Sequence, residues 1–377
     1  MRFEFTPRQN AFRQELRDFL RAEIPGGRGD GGADQAFSKK LAARDWIGVA
    51  WPKEWGGQGF GALEQMIYTE EMITANAPRG YHFTAERQVG PSVIRHGTEE
   101  QKREWLPRIV NGDVSFALGL SEPGAGSDLA AAATRAVRDG DDYVVTGQKI
   151  WTSNAHLADC IWLVVRTDPD APKHRGISCL MADLNAPGVT IRPLVDMTNG
   201  HHFNEVFFDE VRVPVNRRVG EENSGWYILA EHLDFERSGI ERLIDLQYLF
   251  LELLEEGKRR AAAGTLTGAQ RSALAQTWIE YNVGRLMCYR VAWMQSAGLV
   301  PNAEASCAKV YGTEWSQRLM NVAMQVFGMN AAAFRPESAA ARMANGYLES
   351  KNKTIAGGTS EVQRNIIATR GLGMPRS

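Results

Sequence analysis

Apolar side chains at Phe12, Leu16, Phe19 and Leu20 recur at helical spacing, and Thr6-Pro7 ahead of them offers an N-cap with proline at the first helical position. Pro25–Asp34 carries five glycines and ends that helix in a loop. Helical patterns resume at 37–43 and 63–75, and Thr98 with Gln101 fits a capping box that opens a further helix. Residues 1–112 are therefore expected to form an α-helical domain. The period then changes. Tyr143–Thr146, Cys160–Val165, Ile177–Met181, Val189–Arg192 and Val206–Val211 are short, β-branched or alternating runs separated by Gly, Pro, Asn and Asp. They predict a β domain over 113–220. Helical spacing returns in Trp226–Lys258, Gly268–Gly298, Ala303–Phe327 and a C-terminal stretch, which predicts a helical bundle over 221–377. The fold class is α+β.

Composition narrows the function classes. The 377 residues are 44% hydrophobic and 23% charged, which excludes wholesale disorder and low-complexity classes. With 43 basic and 45 acidic side chains the net charge is −2, so nothing electrostatic points to nucleic acid or an anionic membrane as partner. No run approaches the roughly 18 uncharged apolar residues that a membrane span needs. Met1-Arg2-Phe3-Glu4 lacks the apolar core of a signal peptide, so a cytoplasmic location is expected. The four cysteines are scattered, and His201-His202 has no further ligands near it in sequence, so neither a disulfide framework nor a metal site is expected. The surplus of 37 glycines and 10 tryptophans suits a ligand cleft without naming the ligand.

Two segments carry candidate chemistry. The backbone N–H groups of Leu120-Ser-Glu-Pro-Gly-Ala-Gly-Ser-Asp128 can converge on a phosphate or a polar ring edge. In Gln148-Lys-Ile-Trp-Thr-Ser-Asn154, an indole followed by two hydroxyls can lie against a flat cofactor and bond its heteroatoms. Taken singly, the first fits a solvated turn equally well, and the second a strand end with a packed Trp. Their combination is more specific. Both occur in order with Phe207-Phe-Asp-Glu-Val-Arg-Val-Pro214, Gly225-Trp226 and Gly358-Thr-Ser-Glu-Val-Gln-Arg364. This set resembles the flavin-dependent acyl-CoA dehydrogenase superfamily over essentially the whole chain. The resemblance implies an N-terminal helical domain, a middle β-barrel domain and a C-terminal four-helix bundle.

It also implies FAD as cofactor. Leu118, Leu120, Ser121, Gly126 and Ser127 match the stretch along the flavin edge, and Trp151, Thr152 and Ser153 match the segment beside its reactive nitrogen. Thr359, Ser360 and Glu361 match a stretch near the adenine half, and Gln325 belongs to a further cofactor motif. Ser127, Gly357 and Gly358 border the acyl-CoA. The family reaction is α,β-dehydrogenation of a CoA thioester to the trans-2-enoyl-CoA: a carboxylate takes the α-proton, a hydride leaves the β-carbon, and reduced FAD passes electrons to an electron-transferring flavoprotein.

Two departures sharpen the expectation. The usual loop Glu-Gly-Thr reads Gly357-Gly358-Thr359 here, so no carboxylate stands at the common base position. A minority, isovaleryl-CoA dehydrogenase among them, carries the base on the first long bundle helix, and Leu233-Asp-Phe-Glu-Arg237 matches that sequence. Glu236 is then the expected base, with Asp234 and Arg237 contacting substrate; Glu241 and Glu361 are weaker candidates. Second, the Arg-x-x-Phe-Gly motif is missing around Lys258-Arg-Arg, and Gln-x-x-Gly-Gly becomes Gln325-Val-Phe-Gly328-Met329. Replacing a glycine where backbone approaches a phosphate is a steric cost. Such changes resemble a bacterial branch whose chains often work as unlike pairs. The expected assembly is thus a homodimer or homotetramer, or a heterotetramer with a second chain of the same family. The alternatives are a subunit with an incomplete FAD site of its own, and a same-fold flavin monooxygenase or oxidase.

Overall fold

Three helix starts are closed by reciprocal caps. Thr6, Thr98 and Thr267 each accept from the peptide N–H three residues on, while the glutamine there accepts from the threonine N–H. The computed structural model describes residues 4–26, 28–236, 240–332 and 338–375, with the side chains of 231–236 and 332 outside that description. Helices α1 (Pro7–Glu23), α2 (Gln35–Ala42), α3 (Ala62–Thr74), α4 (Gly90–His96) and α5 (Glu99–Val110) come first. The strands are β1 (Phe116–Gly119), β2 (Arg135–Asp139), β3 (Asp142–Lys149), β4 (Cys160–Arg166), β5 (Ile177–Asp183), β6 (Val189–Leu194), β7 (Phe203–Pro214) and β8 (Arg218–Val219). After them come α6 (Gly225–Glu236), α7 (Ile240–Ile244), α8 (Gln247–Ala262), α9 (Gly268–Ser296), α10 (Asn302–Phe327), α11 (Met329–Ala332), α12 (Ala339–Lys353) and α13 (Ser360–Ile366). Among the described residues, the helix expected over Trp226–Lys258 is interrupted by a turn at Asp245-Leu246.

The chain divides into two units, residues 1–29, 61–77 and 237–377 in one, 30–60 and 78–236 in the other. In the first, α1 and α3 belong with the C-terminal helices. Trp315 on α10 is fully buried, packs edge-on to Phe250 at 5.5 Å and donates its indole N–H to the Thr277 carbonyl at 3.2 Å. Leu243, Leu249, Leu253, Leu319 and Met320 share that core. Complete burial of side chains of this size contributes about 1.5–3 kcal/mol each. A charged cluster accompanies it. Glu70 of α3, 4% exposed, takes Arg13 of α1 at 2.9 Å, Arg285 of α9 at 2.6 Å and the Tyr289 hydroxyl at 3.0 Å. Burial opposes its charge, but these partners outweigh burial and hold the carboxyl below its ordinary value.

The second unit is built on one sheet, in the order β6-β7-β3-β2-β4-β5-β8, with β1 parallel to β4. Val145, Ile161, Leu163, Val165, Leu180, Val206, Phe208, Val211 and Val213 form its core. On β7 the buried positions switch phase between Phe208 and Val211. The cause is a bulge against β3, with Glu210 at φ 50°. β2, which the pattern did not predict, buries only Ala136.

Candidate functional site

In the second unit, the loop after β1 and the end of β3 are joined from beneath by a buried ion pair. Lys149 Nζ lies 2.7 Å from Glu122 Oε1 and also donates to the Leu120 carbonyl at 3.1 Å. The Glu122 carboxylate accepts the peptide N–H of Ala133 at 2.6 Å and of Thr134 at 2.9 Å. Burial pulls Lys149 down to about 8, against the attraction of Glu122. Burial pushes Glu122 up, yet Lys149 and the N–H donors hold it below its ordinary value. Glu122 and Ala125 exchange backbone bonds, and the Ser121 carbonyl accepts from Ile150 N. Leu118, Leu120 and Ser121 are half-buried, while Gly126 and Ser127 lie exposed on the same loop.

Trp151 then turns the chain through φ 61° and leaves its indole 55% exposed, edge-on to Phe203 at 5.8 Å. Thr152 is fixed by paired backbone bonds with Asn204, 3.1 Å each way, and its carbonyl takes Asn204 Nδ2 at 3.0 Å. Its hydroxyl is buried and has no hydrogen-bond partner among the described residues. A buried hydroxyl without a partner costs about 1–3 kcal/mol. Ser153 is exposed. His201 and His202 belong to this region: His156 stacks on His201 at 3.9 Å, and no group of three or more His, Cys, Asp and Glu placed to hold a metal ion occurs among the described residues.

The first unit carries the second cluster. Gly357 and Gly358 sit at φ 64° and 83°, between α12 and α13. The Gly358 carbonyl accepts from Lys309 Nζ at 2.6 Å, and the Gly357 carbonyl from Gln363 Nε2 at 3.1 Å. Lys309 is 1% and Gln363 0% exposed. Thr359 caps α13, its hydroxyl accepting from Val362 N at 3.2 Å. The buried Ser360 hydroxyl and Gln363 Oε1 have no partner among the described residues. The Glu361 carboxyl is held low by its own peptide N–H and the Thr359 hydroxyl. Thr359, Ser360 and Glu361 line a cleft of about 470 Å³ with Glu314, Gln317 and Arg364. Gln325 is exposed at the end of α10, its carbonyl bonded to Gln270.

Glu236 is the last described residue of α6, as backbone. Its side chain and that of Asp234, and the whole of Arg237, lie outside the described residues. Sequence reasoning missed the Glu122–Lys149 brace and the role of Lys309, because buried charge is set by partners distant in the chain; it also missed Gln363, an uncharged side chain that reaches back to the Gly357 carbonyl.

Comparison with known proteins matches this arrangement along the whole chain. Family profiles described as acyl-CoA dehydrogenase N-terminal, middle and C-terminal domains match residues 6–113, 117–211 and 223–372. The chain is 40% identical over 409 residues to "Acyl-CoA dehydrogenase FadE26" of Mycobacterium tuberculosis, covering 100% of both. It superposes with a TM-score of 0.90 on a structure described as "Tcur3481-Tcur3483 steroid ACAD", 36% identical and covering 100% of each chain. The ChsE4-ChsE5 complex from M. tuberculosis gives a TM-score of 0.89 at 38% identity, again over 100% of each chain. With all three domains matched in order, the chain belongs to the acyl-CoA dehydrogenase family of oxidoreductases.

Proposed function

We propose that this chain binds FAD and dehydrogenates a bulky, steroid-derived acyl-CoA between its α- and β-carbons, giving the trans-2-enoyl-CoA. The observation that carries the cofactor reading is the Thr152 hydroxyl, buried and unpaired beside an exposed, positive-φ Trp151. A planar, heteroatom-rich ring completes such a site. Leu118, Leu120, Ser121, Gly126, Ser127, Trp151, Thr152 and Ser153 would hold the ring. Thr359, Ser360 and Glu361 would meet its nucleotide half, and the unpaired Ser360 hydroxyl fits that role. FAD, when bound, supplies the two-electron acceptor.

The remaining chemistry falls to side chains and backbone. Glu236 takes the α-proton, since Gly357 offers no carboxylate. The acidity of that proton depends on stabilising the thioester oxygen, a task for the Gly357 N–H. Asp234, Arg237, Ser127 and Gly358 position the acyl-CoA, and an electron-transferring flavoprotein receives the electrons. The steroid class rests on the description of the structural relative at 36% identity.

A second chain of the same family is the proposed partner, rather than only further copies of this one. Met329 replaces the second glycine of the cofactor motif and is 85% exposed, and a structural relative is itself described as a two-protein complex.

Anaerobic mixing with straight, branched and steroid-side-chain CoA thioesters tests the activity. Bleaching of bound flavin without oxygen, fastest with the steroid thioester, is the expected result. Product formed only with oxygen would turn the reading to a monooxygenase or oxidase. A chain that holds no flavin alone or with any partner would be a scaffold.

A further inference from the structure

The loop that lacks a carboxylate is not simply empty. A Cβ on Gly357 would run into Nη2 of Arg242 and stand 2.6 Å from its Cζ and 3.2 Å from its Nε. Real Cβ atoms do not come within 3.0 Å of such neighbours, so any side chain at 357 requires the flexible guanidinium of α7 to move out of the position it holds. The neighbouring peptides are already fixed. Gln363 takes the Gly357 carbonyl and Lys309 the Gly358 carbonyl, both from buried positions. The guanidinium lies against the Gly357 Cα, next to the peptide that carries the Gly357 N–H.

We propose that Arg242 is a positioning residue for this turn, holding the Gly357 N–H in place and setting a permanent positive charge where other family members carry an acid. The inference rests on the dehydrogenase reading above. On that reading, the α-proton goes to the Glu236 carboxylate and its electron pair spreads onto the thioester oxygen. A fixed N–H donor with a cation behind it favours that charge before any electron leaves the substrate. Glycine at 357 and arginine at 242 thereby form one device. An acid at 357 needs the same space, and beside a guanidinium its proton affinity would be too low for a base.

Two measurements test this. The first uses a 3-thia-acyl-CoA, which can lose its α-proton to the enzyme base but has sulfur at the β-position and so cannot be oxidised. In the flavin-loaded protein the long-wavelength charge-transfer band of the bound enolate is titrated with pH. Arg242→Met should raise the midpoint by about one pH unit, tenfold in proton affinity, and Arg242→Lys should recover roughly half of that. An unchanged midpoint in Arg242→Met would overturn the electrostatic role, since a purely structural residue would alter stability and flavin content alone.

The second measurement needs neither flavin nor substrate. Thermal unfolding of Gly357→Ala, Arg242→Ala and the double variant should show the methyl costing roughly twice as much with the guanidinium present as in the Arg242→Ala background. The remaining cost belongs to the positive φ. Equal costs in both backgrounds would overturn the packing relationship. If no acyl-CoA bleaches the flavin while this cycle still shows coupling, the dehydrogenase reading has failed and the Arg242–Gly357 relationship has not.

Discussion

Lys149 and Glu122 form an ion pair 2.7 Å long with side chains 0% and 8% exposed, and it ties the end of β3 to the loop that follows β1. Removing one partner leaves the other charge buried and alone. Lys149→Met is therefore expected to cost about 3–5 kcal/mol in chemical denaturation. The double variant Lys149→Met/Glu122→Gln should cost clearly less than the sum of the two single ones. Strict additivity would show that the pair acts as two separate residues.

The same pair sets an acid limit. Glu122 has a folded value below its ordinary 4.5, so the stability it contributes is complete above 4.5 and is lost as the pH falls through the folded value. Melting temperatures of the wild type should fall below about pH 4.5 more steeply than those of Glu122→Gln. Parallel curves would remove Glu122 from the acid transition.

Thr152→Val separates cofactor binding from folding. Without FAD, exchanging an unpaired buried hydroxyl for a methyl should leave stability unchanged or raise it by about 1 kcal/mol. Flavin affinity, measured by fluorescence titration, should weaken about five- to tenfold for the lost hydrogen bond. A loss of stability without cofactor and no change in affinity would make the hydroxyl a structural group.

Glu236→Gln should slow anaerobic flavin bleaching by the best acyl-CoA about 10²–10⁴-fold, the usual worth of a positioned base. Adding Gly357→Glu to that variant should not restore the rate, because the Arg242 guanidinium beside position 357 would hold the new carboxyl's proton affinity too low for a base. Near-normal bleaching by Glu236→Gln would move the base elsewhere.

What the sequence revealed follows from the range of the forces involved. The caps at Thr6 and Thr98 are settled within four residues, and β4 and β5 are nearly continuous apolar runs, so these elements were legible. β2 was not, because Ala136 is its one buried residue and its partners supply the pattern. The phase switch at Asp209–Glu210 depends on a bulge that alternation alone does not disclose. At the candidate site, motif order singled out Trp151, Thr152 and Thr359, whereas the bracing residues are charged and read as surface until the fold is known. Lys149, Lys309 and Arg242 each act on backbone or charge far along the chain, and no local spacing encodes that.

The division of the chain also has a temporal consequence. The sheet-bearing unit draws on residues 30–60 and 78–236, all synthesised before the last helices exist. The other unit needs α1 and α3 to wait for α9, since Glu70 takes Arg13 from one end of the chain and Arg285 from the far side. A nascent chain therefore carries α1 and α3 without the Arg285 partner of Glu70 until α9 has been made. Because long-range closures of this kind form slowly, this interval is when the growing protein is most open to chaperones and to proteolysis, and a ribosome stalled before α9 would release a folded sheet with an unfinished helical partner.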